Sequence, residues 1–173
     1  MADIDIPVLL DRVCYRYPSL LVDSITEYVP GRRLVAFKNV TVNEEFFQGH
    51  FPGAPLLPAV LMLESLTQVA SLLLLHRDDG ARPNARVFLR GVNDARFRRQ
   101  VVPGDRLQLE IELGHQKAPL ARAQARAFVG DQVVAECTLL LAIRPDRTDI
   151  HPTALVDPRA TIGEGTIVEP QAR

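Results

Sequence analysis

The sequence has few cysteines and no excess of either charge, and both shortages narrow the classes of protein to consider. Its two cysteines, Cys14 and Cys137, stand far apart in a chain of 173 residues. They lack the spacing of a metal site and are too few for a disulfide framework, so a reducing cytoplasm is the expected location. The formal net charge is -1, which gives no overall electrostatic reason to expect binding to nucleic acid or to a membrane.

The N-terminus and the histidines exclude further classes. The first ten residues, MADIDIPVLL, contain two aspartates and no basic residue, unlike a secretory signal or a transit peptide. The four histidines are scattered along the chain and do not form a set of three clustered ligands. We therefore expect no metal site and no cofactor.

The pattern of apolar residues predicts one α+β domain. Alternating runs separated by turn signals such as PGR, VPGD and GDQ predict about six antiparallel strands. Those runs are 19–29, 33–42, 86–98, 105–116, 120–129 and 132–143. Between the second and third runs, Pro58 begins an almost wholly apolar segment that continues to Leu75. The expected architecture is a sheet wrapped around one long buried helix.

The long apolar segment contains one charged residue, Glu64. Together with Thr67, Gln68 and Ser71 it follows helical spacing, which predicts a single polar stripe on a buried helix and argues against a membrane span. An isolated buried carboxylate is costly. Glu64 is therefore either a structural carboxylate bonded to a nearby donor, or a general acid or base in a dry pocket.

His50 lies in the Gly- and Pro-rich stretch FQGHFPGAP, immediately before this helix. A lone histidine in such a loop is commonly a surface residue. Next to shielding aromatic residues and a helix with a buried acid, however, it is a candidate for moving a proton. The N–H groups of Ala59 and Val60, at the helix start, are candidates to stabilise an enolate-like oxygen. Loss of water from a 3-hydroxyacyl thioester needs these three elements.

The last 24 residues follow a different pattern. Ile150, Val156, Ile162 and Val168 recur every six positions, with prolines two places after three of them. This hexapeptide repeat is typical of a parallel β-helix, which needs several coils to bury a core. The sequence thus predicts a domain over 1–146 and a short hexapeptide tail or linker over 147–173.

Three long motifs resemble one known family. YRYPSLLVD, AFKNVTVNEEFFQGHFPGAPLLPAVLMLES and GVNDARFRRQVVPGD are similar to the 3-hydroxyacyl-acyl-carrier-protein dehydratases of the FabZ type, over about residues 5–144. The resemblance implies the hotdog fold and dehydration of (3R)-hydroxyacyl chains on acyl carrier protein to trans-2-enoyl chains in fatty acid synthesis. It implies catalytic roles for His50 and Glu64, acting across a homodimer, with three dimers commonly forming a hexamer.

The resemblance also identifies supporting and docking residues. Phe51 and Pro52 follow His50 as in the family, and Pro52 is expected to fix the loop. Gln68 is expected either to bond Glu64 or to contact the backbone or water. A crowded group of arginines is either a solvated face or a docking site for the acidic carrier protein. Its members are Arg90, Arg96, Arg98 and Arg99.

Three departures from the family pattern matter, of which Ser65, in place of the usual alanine after Glu64, is a mild change. Ala59 stands where the family usually has glycine, which keeps the N–H but adds a methyl group beside the substrate, so altered or reduced activity is expected. Tyr15 stands where the family usually has a histidine that is not the catalytic one, and the sequence gives it no role. Ala59 keeps a weakly active carrier-binding subunit open as an alternative, and a hotdog thioesterase is another.

The tail carries a second resemblance. IHPTALVDPRATIGEGTIVEP is similar to the start of the UDP-N-acetylglucosamine acyltransferase of lipid A synthesis, a β-helix that also uses acyl carrier protein. The hypothesis that follows is that these residues belong to a dehydratase–acyltransferase fusion.

Overall fold

Among the described residues, one α-helix, α1, spans Ala59–Leu75 and packs in the hydrophobic core, and a short 3-10 helix spans Glu45–Gln48. Helix α1 begins after Pro58 and ends where His76 turns to an extended conformation, with φ -100° and ψ 111°. Every side chain from Ser65 to Leu75 is buried, as the apolar run predicts.

The computed structural model describes residues 15–76, 85–117, 119–145, 149–150, 153–163 and 167–168. Within these ranges no helix is long and apolar enough to cross a membrane.

One antiparallel sheet wraps helix α1. Its six strands lie in the order β1-β2-β4-β5-β6-β3, which confirms the predicted α+β architecture and strand number. In the first eight residues of the strand Leu120–Val129, buried alanines alternate with exposed residues, so the alanine face lies against the core. The strands are β1 Ser24–Val29, β2 Arg33–Asn39, β3 Ala85–Phe97, β4 Arg106–Lys117, β5 Leu120–Val129 and β6 Gln132–Pro145.

Strand β3 forms one edge of the sheet, and β6 is its only partner among the strands that the structure describes. It has 13 residues, and three large apolar side chains remain exposed on it: Phe88 at 44%, Leu89 at 40% and Phe97 at 44%. A long, apolar and unpaired edge is a template for pairing with another strand. This edge therefore indicates that β3 pairs with a strand of another chain.

The tail contributes two very short strands, β7 Asp149–Ile150 and β8 Ile167–Val168. They pair in parallel, with Asp149 opposite Ile167 and Ile150 opposite Val168. Eighteen positions separate the partners, a distance of three hexapeptide units. The division of the chain at residue 146 remains a prediction.

Candidate active site

The loop before α1 holds His50 by three hydrogen bonds. Its backbone N–H donates to the carbonyl of Phe46 at 2.9 Å, and its carbonyl accepts from the N–H of Leu56, also at 2.9 Å. In the side chain, Nδ1 lies 2.7 Å from the Leu56 carbonyl oxygen. A carbonyl can only accept, so Nδ1 carries the proton and Nε2 presents a lone pair. The half-buried imidazole is thus oriented as a base.

The next four residues make a tight turn. Phe51 and Ala54 exchange backbone hydrogen bonds of 2.9 and 3.2 Å, and Gly53 between them has φ +76°. Proline followed by a residue with positive φ is the signature of a type II turn, so Pro52 and Gly53 occupy the two central positions. The Phe51 ring stacks on His50, with 4.0 Å between ring centroids, and its other side is exposed.

The loop ends at the first turn of α1. Pro58 is the N-cap, and no side chain caps the helix there. The N–H groups of Ala59 and Val60 belong to the first turn, where a helix has no carbonyl to accept from them. Ala59 is half-buried and Val60 is exposed. These two groups are available to an oxygen atom of a ligand.

Glu64 is held by Gln68 one turn further along the helix. The Gln68 Nε2 donates to Glu64 Oε1 at 3.0 Å and to the Ser19 carbonyl at 2.8 Å. Its Oε1 accepts from the N–H of Leu21 at 2.8 Å. Gln68 is completely buried, so it ties the segment before β1 to the helix and fixes the Glu64 carboxylate at the same time. Both interactions expected of Gln68 occur together.

Thr67 and Ser71, the rest of the predicted polar stripe, line a cavity together with Glu64 but form their hydrogen bonds within the helix. The hydroxyl of Thr67 donates to the Leu63 carbonyl, and that of Ser71 donates to the Thr67 carbonyl, each at 2.8 Å. Each hydroxyl is hydrogen-bonded to a carbonyl of the same helix, so neither polar group is buried without a partner. Glu64 is thereby the one charged group of the stripe.

Two cavities meet at Glu64. One, of about 300 Å³, runs beside the helix from Glu64 past Ser71 to Leu75 and is lined on its other side by Phe88 and Leu89 of β3. The other, of about 700 Å³, lies under the segment from Tyr15 to Leu21. His50 lines neither cavity, so within one chain these cavities do not connect the imidazole with the carboxylate.

Tyr15 lines both of these cavities together with Glu64. The sequence analysis assigned Tyr15 no role, because the family pattern has a non-catalytic histidine there. Its position beside the carboxylate could not be predicted from spacing, since Glu64 lies 49 positions further along the chain. The structure therefore adds Tyr15 to the residues that shape the site.

The four arginines considered for docking differ in their surroundings. Arg98 pairs with Glu136, and Arg99 lies 3.4 Å from Asp105. Arg90 and Arg96 are exposed at the two irregular points of β3, and neither forms an ion pair with a described residue. Among the described residues, these two of the four are the ones without an ion-pair partner.

Neither a thiol nor a metal cluster contributes to the site among the described residues. Burial raises the pKa of the Cys137 thiol to about 11, so it is protonated and unreactive at neutral pH. Cys14 lies outside the described residues. In the part of the chain that the structure describes, no three His, Cys, Asp or Glu side chains are grouped to hold a metal ion.

Comparison with known proteins agrees with the helix-in-sheet architecture. A solved structure of the dehydratase heterocomplex ApeI:P from Xenorhabdus doucetiae superposes with a TM-score of 0.66 at 15% identity, covering 78% of this chain and 89% of that one. At this identity the likeness concerns the fold alone. This likeness identifies the fold of the chain as the hotdog fold, as predicted.

Sequence relatives are more specific. A family model described as the FabA-like domain matches residues 14–138. The 3-hydroxyacyl-[acyl-carrier-protein] dehydratase FabZ of Bordetella petrii is 44% identical over 146 residues, covering 82% of this chain and 97% of the relative. The enzyme of the same name from Myxococcus xanthus is 46% identical over 140 residues, covering 80% and 91%. The chain belongs to this family, as a FabZ-type 3-hydroxyacyl-acyl-carrier-protein dehydratase, a lyase of fatty acid synthesis.

Proposed function

We propose that the chain dehydrates 3-hydroxyacyl groups on acyl carrier protein in the cytoplasm as a homodimer, with His50 of one chain and Glu64 of the other at each site. The observation that carries this proposal is the edge strand β3, on which Phe88, Leu89 and Phe97 remain exposed. Pairing β3 with β3 of a second copy would satisfy the open edge and extend the sheet across both chains.

The position of the two groups along β3 supports this arrangement. The cavity beside Glu64 is bounded by Phe88 and Leu89, in the first half of β3. The His50 loop lies just beyond the last residue of β3, because the Leu57 N–H donates to the Val101 carbonyl at 2.8 Å.

A two-fold axis through the strand would place the beginning of one β3 beside the end of the other. The His50 loop of one chain would then approach the Glu64 cavity of its partner. This accounts for the separation of the two groups within a single chain.

The chemistry follows from the orientation of each group. Nε2 of His50 removes a proton from C2 of the substrate, and the electron pair moves toward the thioester carbonyl. The N–H groups of Ala59 and Val60 hold the developing negative charge on that oxygen. Glu64 donates its proton to the C3 hydroxyl, the C3–O bond breaks, and water leaves as the C2–C3 double bond forms. The (3R) to trans-2 course and the hexamer remain expectations from the family resemblance.

The Ala59 methyl group should leave this oxyanion site functional. The oxyanion site consists of backbone N–H groups at the start of the helix, and alanine has the same backbone N–H as glycine. Its side chain is half-buried next to the exposed Val60, where a substrate thioester would pass. We therefore expect the methyl group to change how the substrate fits, and we expect the Ala59 N–H to donate its hydrogen bond as a glycine N–H would.

An assay of purified protein tests this function. Wild-type chain should convert 3-hydroxyacyl-carrier to the enoyl product, whereas His50→Ala and Glu64→Ala should each reduce the rate by at least about 100-fold. Matched controls are His115→Ala and Glu45→Ala, which remove the same groups from exposed positions. Full activity in either site variant would refute the role of that residue, and release of free acid in place of enoyl product would indicate a thioesterase.

The tail is a separate proposal. Parallel pairing of β7 with β8 across three hexapeptide units supports one coil of a β-helix, as expected for a fusion with an acyltransferase. The sheet and helix are complete by Pro145, so a chain ending at residue 146 should keep its dehydratase rate and melting temperature. Loss of either would show that the tail belongs to the dehydratase domain.

A further inference from the structure

The inner face of β2 ends on a charged side chain. Leu34 and Ala36 belong to the hydrophobic core, and side chains two positions apart along a strand share a face. Lys38 is the next residue of this series, and it is only 5% exposed. Its partner in the strand pair is Leu107, which is also buried. A buried ammonium group is costly unless it is paired, so Lys38 needs an anionic partner.

That partner is Glu44. The Lys38 Nζ donates to Glu44 Oε2 at 2.7 Å, a distance typical of a charge-assisted hydrogen bond. The other carboxylate oxygen, Oε1, accepts from the Thr41 N–H at 3.1 Å. The Glu44 N–H in turn donates to the Thr41 carbonyl at 3.3 Å. These contacts fix Glu44 between the end of β2 and the 3-10 helix Glu45–Gln48.

One peptide group of the 3-10 helix connects Glu44 with His50. Its N–H, from Phe47, donates to the Glu44 carbonyl at 3.1 Å, and its carbonyl, from Phe46, accepts from the His50 N–H at 2.9 Å. Hydrogen bonds linked in this way polarise and strengthen one another. The position of the His50 backbone is therefore coupled to the ion pair of Lys38 and Glu44.

Phe46 extends this coupling to the surroundings of Glu64. It lines a cleft of about 1190 Å³ together with Lys38 and Glu44. It also lines the cavity of about 700 Å³ that contains Glu64. A shift of the 3-10 helix would thus move both the histidine backbone and a wall of the cavity at the carboxylate.

We propose that Lys38 and Glu44 are positioning residues for His50, because their ion pair holds the 3-10 helix from which the histidine loop continues. The inference rests on the proposed function, in which His50 removes the C2 proton. Both side chains act through the backbone and not on the substrate. A displacement of about 1 Å in a reacting group lowers the rate strongly. Loss of the pair should therefore reduce turnover more than substrate binding.

The test compares Lys38→Met with Arg33→Met, since each removes a cation from β2. Arg33 lies 3.1 Å from Glu110 and 3.2 Å from Glu27. It is the first residue of β2, at the end away from Lys38, so it is the matched control for a broken ion pair. Lys38→Met should lower kcat for the carrier substrate by about tenfold and leave KM within about twofold. Arg33→Met should keep the wild-type kcat at temperatures where it is folded.

Hydrogen exchange gives a readout that does not depend on activity. The His50 amide is bonded to the Phe46 carbonyl, so exchange over residues 45–50 should be at least about fivefold faster in Lys38→Met and unchanged in Arg33→Met. Lys38→Arg keeps a cation for Glu44 and should return both kcat and exchange to near the wild-type values. If Lys38→Met does not fold, Glu44→Gln serves for the same comparison, because its amide oxygen can still accept from the Thr41 N–H.

Two outcomes would overturn the proposal. One is a kcat for Lys38→Met that matches the Arg33→Met control. The other is a lower kcat without faster exchange over residues 45–50, since the ion pair would then not hold the histidine loop. Failure of the proposed function is distinguishable, because the wild type would then form no enoyl product, whereas the exchange rates of the variants could still be compared.

Discussion

At the scale of single residues, Gln68 holds the Glu64 carboxylate in place. It bonds Glu64, the Ser19 carbonyl and the Leu21 N–H while completely buried. A buried amide with all these partners satisfied is rigid. The carboxylate that it supports is therefore aimed before the substrate arrives.

Replacing Gln68 by methionine should lower both stability and turnover. The side chain keeps about the same length, but the Leu21 N–H and the Ser19 carbonyl lose their partner. We expect the free energy of unfolding in urea to fall by about 2–4 kcal/mol. We expect kcat to fall by roughly tenfold, with KM nearly unchanged, because the acid is misplaced.

The control for this variant is Ser65→Ala, which removes a buried hydroxyl that donates to the Leu61 carbonyl and lines neither cavity at Glu64. It should retain wild-type kcat. A Gln68→Met enzyme with lower stability but unchanged kcat would mean that Gln68 supports the fold and does not position Glu64.

Single residues also show which features of the site the sequence could predict and which it could not. His50 and Glu64 were identified from a polar exception in an apolar helix and a histidine in a Gly- and Pro-rich loop, helped by the family resemblance. The protonated Nδ1 of His50 and the position of Tyr15 depend on the path of the backbone. No local pattern encodes such distances.

At the scale of elements, the strands and the helix were predictable because their burial is regular. The predicted runs 120–129 and 132–143 correspond to β5 Leu120–Val129 and β6 Gln132–Pro145, and the fold class and enzyme family were confirmed. The order of strands in the sheet was not predictable. It places β3 next to β6 and leaves it at the edge, which depends on long-range pairing.

The edge strand gives a prediction at this scale. Phe97→Asp introduces a charge into the apolar edge, so it should weaken the dimer and lower activity as the protein is diluted. Sedimentation velocity and activity across a concentration series would measure both effects. Val42→Asp, at an exposed position after β2, is the control and should sediment as the wild type does. A Phe97→Asp protein that remains dimeric and active would exclude this edge as the contact.

At the scale of the whole molecule, the two groups that we propose to act together lie in different parts of a single chain. The carboxylate faces cavities that the imidazole does not reach, and the open edge lies between the two regions. Physical reasoning from the sequence placed both groups in one site, while the family resemblance alone implied two chains. The structure gives a physical reason for that implication, because a two-fold contact through β3 would bring the two halves together.

Mixing the two inactive variants tests this account most directly. His50→Ala and Glu64→Ala chains, unfolded together and refolded, form mixed dimers in which one site of two has an intact pair. Activity should return to about a quarter of the wild-type value, because random pairing makes half of the dimers mixed. Refolding either variant with the double variant should restore nothing. If the mixture of single variants also stays inactive although mixed dimers are present, His50 and Glu64 do not act across two chains.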